Sequence, residues 1–210
     1  MPSFAAQERQ ALVQALVDAG PLAPTLCEGW TAHDLAAHLV AREHRPDAGV
    51  GLVVPLFAGY TERVRRSYLE QTYEDLLEQI RTGPPRFSAF ALPGVDAAAN
   101  LGEHFVHCED VRRAQPTWCP RELAAPMQDA LWKQLGRMAK LAFRRASDPV
   151  RLVRPDGAEI SIGGIGQPVR LHGEPAELLL YAFNRTAVAQ VRLEGPHEAL
   201  DRFTASRIGL

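Results

Sequence analysis

The sequence has little lysine, few cysteines, no long apolar run and almost no net charge. Only Lys133 and Lys140 among its 23 basic residues are lysines, an arginine bias that reads as the codon usage of a GC-rich bacterium. With 25 acidic residues the formal charge is -2. That balance offers no basic field for a phosphate backbone and argues against nucleic acid as a partner. Cys27, Cys108 and Cys119 are an odd number with no C-x-x-C pair, which argues against a disulfide framework and against a zinc ribbon or finger. The N-terminal stretch MPSFAAQERQ carries Glu8 and Arg9 where a secretory signal would begin its apolar segment, and no later run is long enough to cross a bilayer. These absences point to a cytoplasmic protein in a reducing compartment that does not enter a membrane. What remains, 46% apolar and 23% charged over 210 residues, is the composition of a globular chain with a real core.

Periodicity divides that chain into a helical part and a shorter mixed part. Five helices are expected, over about Phe4–Ala19, Thr31–His44, Thr61–Thr82 with a break near Thr72, Asp96–Ala114 and Arg121–Arg145. Gly20-Pro21, Arg45-Pro46, Gly83-Pro84 and Gln115-Pro116 punctuate them, because proline removes a helical N–H and restricts the residue before it. Thr31 followed by Asp34 has the spacing of a capping box. The stretch Pro46–Gly59 has no helical period and reads as irregular. After Ser147-Asp148-Pro149 the period falls from 3.6 to 2, giving strands over 150–153, 159–162 and 169–172, with Asp156-Gly157 as a hairpin turn. A short helix over Glu174–Phe183, a strand over Ala187–Leu193 and a last helix over Pro196–Ser206 complete the expectation. The fold class expected is therefore mainly α: an antiparallel four-helix bundle plus an extra helix over residues 1–147, then a small α+β domain over 148–210.

Chemistry is concentrated in two of these helices. Glu103 and His107 are four residues apart on the fourth helix, so they share one face and can converge on one ion. His38 lies mid-way along the second helix beside Leu35 and Leu39, from which it can enter the same interior. The alternative for His38 is a half-buried imidazole satisfied by a backbone carbonyl. His33 and His44 point well away from His38 at 100° per residue and read as surface groups, and His104 is offset from the Glu103–His107 line. Cys108 reads as a small buried residue rather than a nucleophile. Asp34 reads as a helix cap, and Asp110, one turn beyond His107, can orient that ring. Arg42, one turn beyond His38, and Arg185, after the C-terminal helix, are candidates for holding a substrate carboxylate by paired hydrogen bonds.

The segment LCEGWTAHDLAAHL over 26–39, followed by GEHFVHCEDV over 102–111, resembles the metal-binding domain of the mycothiol-dependent maleylpyruvate isomerase family, one of the DinB-like four-helix bundles. In that family's pattern a Gly-Trp-(Ser/Thr)-x-x-Asp-(Leu/Val)-x-x-His block supplies one histidine, matched by His38, and a Glu-x-x-x-His pair is matched by Glu103 and His107. The stretch from Arg170 to Arg185 resembles the family's second domain, although Asn184-Arg185 stands where Gly-Arg is usual. The resemblance implies a divalent metal held by His38, Glu103 and His107, and mycothiol as co-substrate. Two imidazoles and one carboxylate leave coordination positions open, as catalytic rather than structural zinc does; nickel and iron accept the same ligands. The function implied is an isomerase or S-transferase in which a metal-bound thiolate attacks an electrophilic small molecule. Two alternatives stand beside it: a hydrolase using metal-bound water, and a metal-binding module without catalysis.

Overall fold

A computed structural model describes residues 2–45, 47, 58–84, 95–163, 166–206 and 208–209. Among them are eight helices and four strands. The chain divides into two compact units, Met1–Pro120 and Arg121–Leu210. This differs from the expected division after Ser147. The helix over Ala125–Ala142 packs on the helix over Pro175–Ala182 and on the strand over Glu159–Ile162, and so groups with the second unit. Its apolar stripe required burial but did not name the surface that would supply it.

The first unit contains α1 (Phe4–Ala19), α2 (Ala32–His44), α3 (Ala58–Tyr68), α4 (Tyr73–Thr82) and α5 (Val95–Arg112). The single helix expected over Thr61–Thr82 is thus two helices, with Thr72 capping the second: its side chain accepts a hydrogen bond from the Asp75 N–H at 3.2 Å. Gly83, at φ 80°, ends α4 in the left-handed region that glycine occupies without strain. Most of the stretch expected to be irregular, Pro46–Gly59, lies outside the described residues. Helices α1, α2, α4 and α5 form the bundle, and α3 packs on α2 as the extra helix. At one end Arg9 of α1 donates to the Ile80 carbonyl of α4 at 2.9 Å, and at the other the Tyr73 hydroxyl donates to the Leu16 carbonyl at 2.8 Å. Those two contacts make α1 and α4 antiparallel. The core between the helices is built on Leu12, Leu16, Leu35, Leu39, Leu76 and Ile80, all fully buried, each contributing about 1.5–3 kcal/mol by leaving water. Val17, next to Leu16 and within the span of helical spacing that would place it on the same apolar stripe, instead lies 48% exposed.

One polar network crosses that core. Glu43 of α2 receives Arg9 Nη1 at 2.7 Å on one oxygen and lies 3.1 Å from His104 Nε2 of α5 on the other. All three residues are buried. A carboxylate in such a place is tolerable only because both oxygens are met.

The second unit has α6 (Ala125–Ala142), β1 (Val150–Val153), β2 (Glu159–Ile162), β3 (Val169–His172), α7 (Pro175–Ala182), β4 (Arg192–Glu194) and α8 (His197–Ala205). The sheet order is β2-β1-β3-β4, with β1 antiparallel to β2, parallel to β3, and β3 antiparallel to β4. Alternation sorts the faces: Val150, Leu152, Val169 and Leu171 are buried, while Arg151 and Arg170 reach across to Glu159 at 3.0 and 2.7 Å on the outer face. The strand expected over Ala187–Leu193 is shorter and later. Helix α7 is buried along its whole length, and Phe203 of α8 stacks between Phe143 and Tyr181 at centroid distances of 6.4 and 6.3 Å. Asn184 has φ 64°, the left-handed conformation that asparagine adopts more readily than most residues.

Candidate metal centre

The candidate site is built on α2 and α5. Helix α2 begins where sequence spacing places it: the Thr31 side chain accepts from the Asp34 N–H at 3.3 Å, and Asp34 accepts from the Thr31 N–H at 3.1 Å. Asp34 is therefore a cap, and its second oxygen pairs with Arg65 of α3 at 2.7 Å. One turn further on, His38 faces α5. Its Nε2 lies 3.7 Å from Glu103 Oε1, and His107 Nε2 lies 3.2 Å from the same oxygen. The two imidazole centroids are 5.4 Å apart. One ligand atom from each of His38, Glu103 and His107 falls within 4.8 Å of the others. Their side chains are 16%, 20% and 11% exposed, which shields the cluster from bulk water without sealing it.

The surrounding groups fix these three. Asp110, fully buried, lies 2.9 Å from His107 Nδ1 and so leaves Nε2 turned toward Glu103. The same Asp110 oxygen accepts from Cys27 Sγ at 3.3 Å, and the Asp110 carbonyl accepts from the Leu26 N–H at 3.1 Å, tying the loop before α2 to the end of α5. Trp30 packs its ring 5.1 Å from that of His38, and the Arg65 guanidinium lies over the Trp30 ring at 4.9 Å. Arg42 Nε is 3.4 Å from Glu103 Oε1, and its Nη1 donates to Asn100 Oδ1 at 2.6 Å.

Ionisation follows from this geometry. Burial pushes the His38 imidazole down and His107 and Arg42 add to it, outweighing Glu103, so the ring keeps a lone pair at neutral pH. For Glu103 burial works upward, but the His107 and His38 imidazoles and Arg42 hold its carboxyl well below the usual carboxylate range. Burial works downward on His107, while Asp110, Cys27 and Glu103 hold it well above the ordinary imidazole range. A neutral imidazole, an ionised carboxylate and a second imidazole that gives up its Nε2 proton on coordination, while a buried aspartate keeps Nδ1–H, are a donor set that fits a divalent ion.

The structure thus brings His38, Glu103, His107, Asp110 and Arg42 together. It places Arg185 in the second unit, where its Nη1 donates to the Phe183 carbonyl at 2.5 Å. His33 and His44 are half-buried rather than surface groups; His33 Nε2 lies 3.3 Å from the Gln71 carbonyl and its ring meets the edge of Tyr73. His104 belongs to the core network, and Cys108 is the small buried residue expected. Sequence reasoning missed Cys27, which forms with His107 and Asp110 a second triad whose ligand atoms lie within 4.8 Å, and it missed Asn100. Asn100 was findable: it precedes Glu103 by three residues and so shares its face.

A helical bundle carrying such donors on two facing helices is the class of scaffold that holds metal in its interior. Residues 5–112 match the family described as mycothiol maleylpyruvate isomerase N-terminal domain, just over half of the chain, and the chain belongs to that family. The match covers all but the first residue of the five helices of the first unit, with His38, Arg42, Glu103, His107 and Asp110 inside it; Arg185, in the second unit, lies outside it. No curated protein and no solved structure matches the chain. Among the described residues no helix is long and apolar enough to cross a membrane.

Proposed function

We propose that this protein is a cytoplasmic, divalent-metal-dependent enzyme that uses mycothiol either to isomerise an electrophilic small molecule or to form a thioether conjugate with it. The observation that carries the reading is the convergence of His38, Glu103 and His107 inside the region that matches the family. These three residues would hold the ion, with zinc the first choice for an imidazole and carboxylate set and nickel or iron as alternatives. A divalent ion supplies two things there: it acidifies a coordinated thiol at neutral pH and it polarises a carbonyl.

The protein's own residues do the rest. Asp110 accepts from His107 Nδ1 and keeps that proton in place, so that Nε2 is the nitrogen that would release its proton and turn to the ion. Glu103 contributes the negative charge, and His38 is kept neutral by its surroundings. Trp30 walls one side of His38 and reduces access of water. The thiol sulfur attacks an electrophilic carbon; collapse of the adduct with loss of the thiol gives the isomer, and persistence gives the conjugate. Arg42, at the edge of the donor set, and Arg185, in the second unit, carry guanidiniums of the kind that pair with a substrate carboxylate.

The test is metal quantification on protein purified without an affinity tag, followed by incubation of the loaded protein with mycothiol and a generic electrophile. A conjugate or isomer that requires both metal and thiol is expected. Ester or amide cleavage without thiol would support a hydrolase using metal-activated water instead. Stoichiometric metal with neither activity would leave a binding module.

A further inference from the structure

Three cationic or potentially cationic groups approach one oxygen, Glu103 Oε1: His107 at 3.2 Å, Arg42 at 3.4 Å and His38 at 3.7 Å. Two of the three belong to the donor set. Arg42 does not, since a guanidinium has no lone pair to give and keeps its charge at any accessible pH. It is also held in place. Its Nη1 donates to Asn100 Oδ1 at 2.6 Å, and Asn100 is fully buried one turn before Glu103 on the same helix. The guanidinium therefore spans from Asn100 to Glu103 along α5, while its stem rises from α2 one turn beyond His38.

We propose that Arg42 is a positioning residue that makes Glu103 a deliberately weak donor, trading metal affinity for a more electrophilic ion. The inference rests on the reading that His38, Glu103 and His107 hold a divalent metal. A cation lying against a ligand carboxylate draws on the electron density that the ion would share, and its charge repels the ion as well. Both effects loosen the ion, and both leave it with more of its charge for whatever occupies the open position. Asp110 acts in the opposite sense on the neighbouring ligand: a carboxylate on His107 Nδ1 makes that imidazole a better donor. The site thus carries one partner that strengthens a ligand and one that weakens a ligand, on two donors that are one turn apart on α5. Arg42 has this role before any substrate arrives.

The sign of the effect separates this reading from a merely structural one. If Arg42 only held Glu103 in position, removing it would weaken metal binding. Under the proposal, R42M and R42Q bind zinc about tenfold more tightly than the unaltered protein in competition with a chromophoric chelator, at the lower end of what outer partners of metal ligands contribute. R42K, which keeps the charge, returns the affinity toward the original value. Two neutral variants are included so that poor folding of one, visible by circular dichroism, does not decide the matter. Equal or weaker zinc binding by both neutral variants overturns the proposal, and so does R42K binding as tightly as R42M. Failure of the unaltered protein to take up zinc, nickel or iron is a separate result, which removes the donor-set reading itself before any variant is made.

Discussion

Replacing Asp110 by asparagine tests the centre at its most quantitative point. The carboxylate is fully buried, and one of its oxygens meets both His107 Nδ1 at 2.9 Å and Cys27 Sγ at 3.3 Å. Asparagine keeps the shape and one acceptor oxygen but removes the charge. The His107 ring stays oriented, while the electrostatic push that makes Nε2 a strong donor is lost. Changes of this kind cost about 10–100-fold in metal affinity, or roughly 1.4–2.8 kcal/mol at tenfold per 1.4 kcal/mol. Removing the acceptor altogether, in D110A, leaves the imidazole N–H and the thiol without this partner and should cost a further roughly 1–3 kcal/mol in stability of the metal-free protein. The assay is chelator competition for zinc with the three proteins, alongside thermal denaturation of their metal-free forms. The expected order of affinity is wild type, then D110N, then D110A. If D110N binds zinc within twofold of wild type, Asp110 has no leverage on the ion and its assignment as the group that tunes His107 is refuted.

Further outcomes follow from the same coordinates. H38A and H107A should each release most of the bound metal, because each removes one of the three proposed protein ligands; metal analysis showing a full equivalent retained by both would remove the ligand assignment. E43Q should destabilise the first unit by about 3–5 kcal/mol, since it leaves Arg9 buried without its charged partner. That loss is pH-dependent. Burial raises Glu43, but His104 and Arg9 overcome it and hold the carboxyl below its ordinary value of 4.5. A depressed folded value means that the contribution is present above 4.5 and disappears as pH falls through the folded value, so denaturant midpoints of wild type and E43Q should converge in acid. A gap between the two proteins that stays constant from neutral pH down to about pH 3 would contradict the linkage.

Much of the site could be read in the sequence because its residues obey local rules. A capping box fixes the start of α2 and hence the face on which His38 lies, and the four-residue spacing of Glu103 and His107 needs only a helix to bring them together. Cys27 escaped notice because it sits in a loop, where no period predicts direction; its contact with Asp110 spans 83 positions in the chain. The exposure expected for His33 and His44 failed for a related reason. Both lie off the face of His38, but α2 is wrapped by more than one neighbour, including α3 and α4, so leaving one face does not mean entering water. The helix over Ala125–Ala142 shows the same limit at larger scale. Leu131 and Leu135 had to be buried, and the stripe gave no means of choosing between a bundle and a sheet.

The contrast between Glu103 and His104 shows how closely the two demands on α5 are interleaved. At about 100° per residue, Asn100, Glu103, His107 and Asp110 fall within an arc of about 80°, and His104, Cys108 and Val111 occupy the next. The first arc meets His38, Arg42 and Cys27; the second enters the core, where His104 lies 3.1 Å from Glu43 and Cys108 and Val111 join the apolar cluster. Two polar networks therefore lie side by side, sharing α2 and α5. One gathers His38, Glu103 and His107, whose ligand atoms lie within 4.8 Å of one another, and the other is closed by Arg9. A closed, buried network beside the centre resists relative sliding of the helices, because a shift that parted Glu43 from His104 would strand a charge in the core. The same shift would separate His38 from Glu103. The core network thus gives the donor set its rigidity, which a site built from two helices needs if its three ligands are to meet one ion.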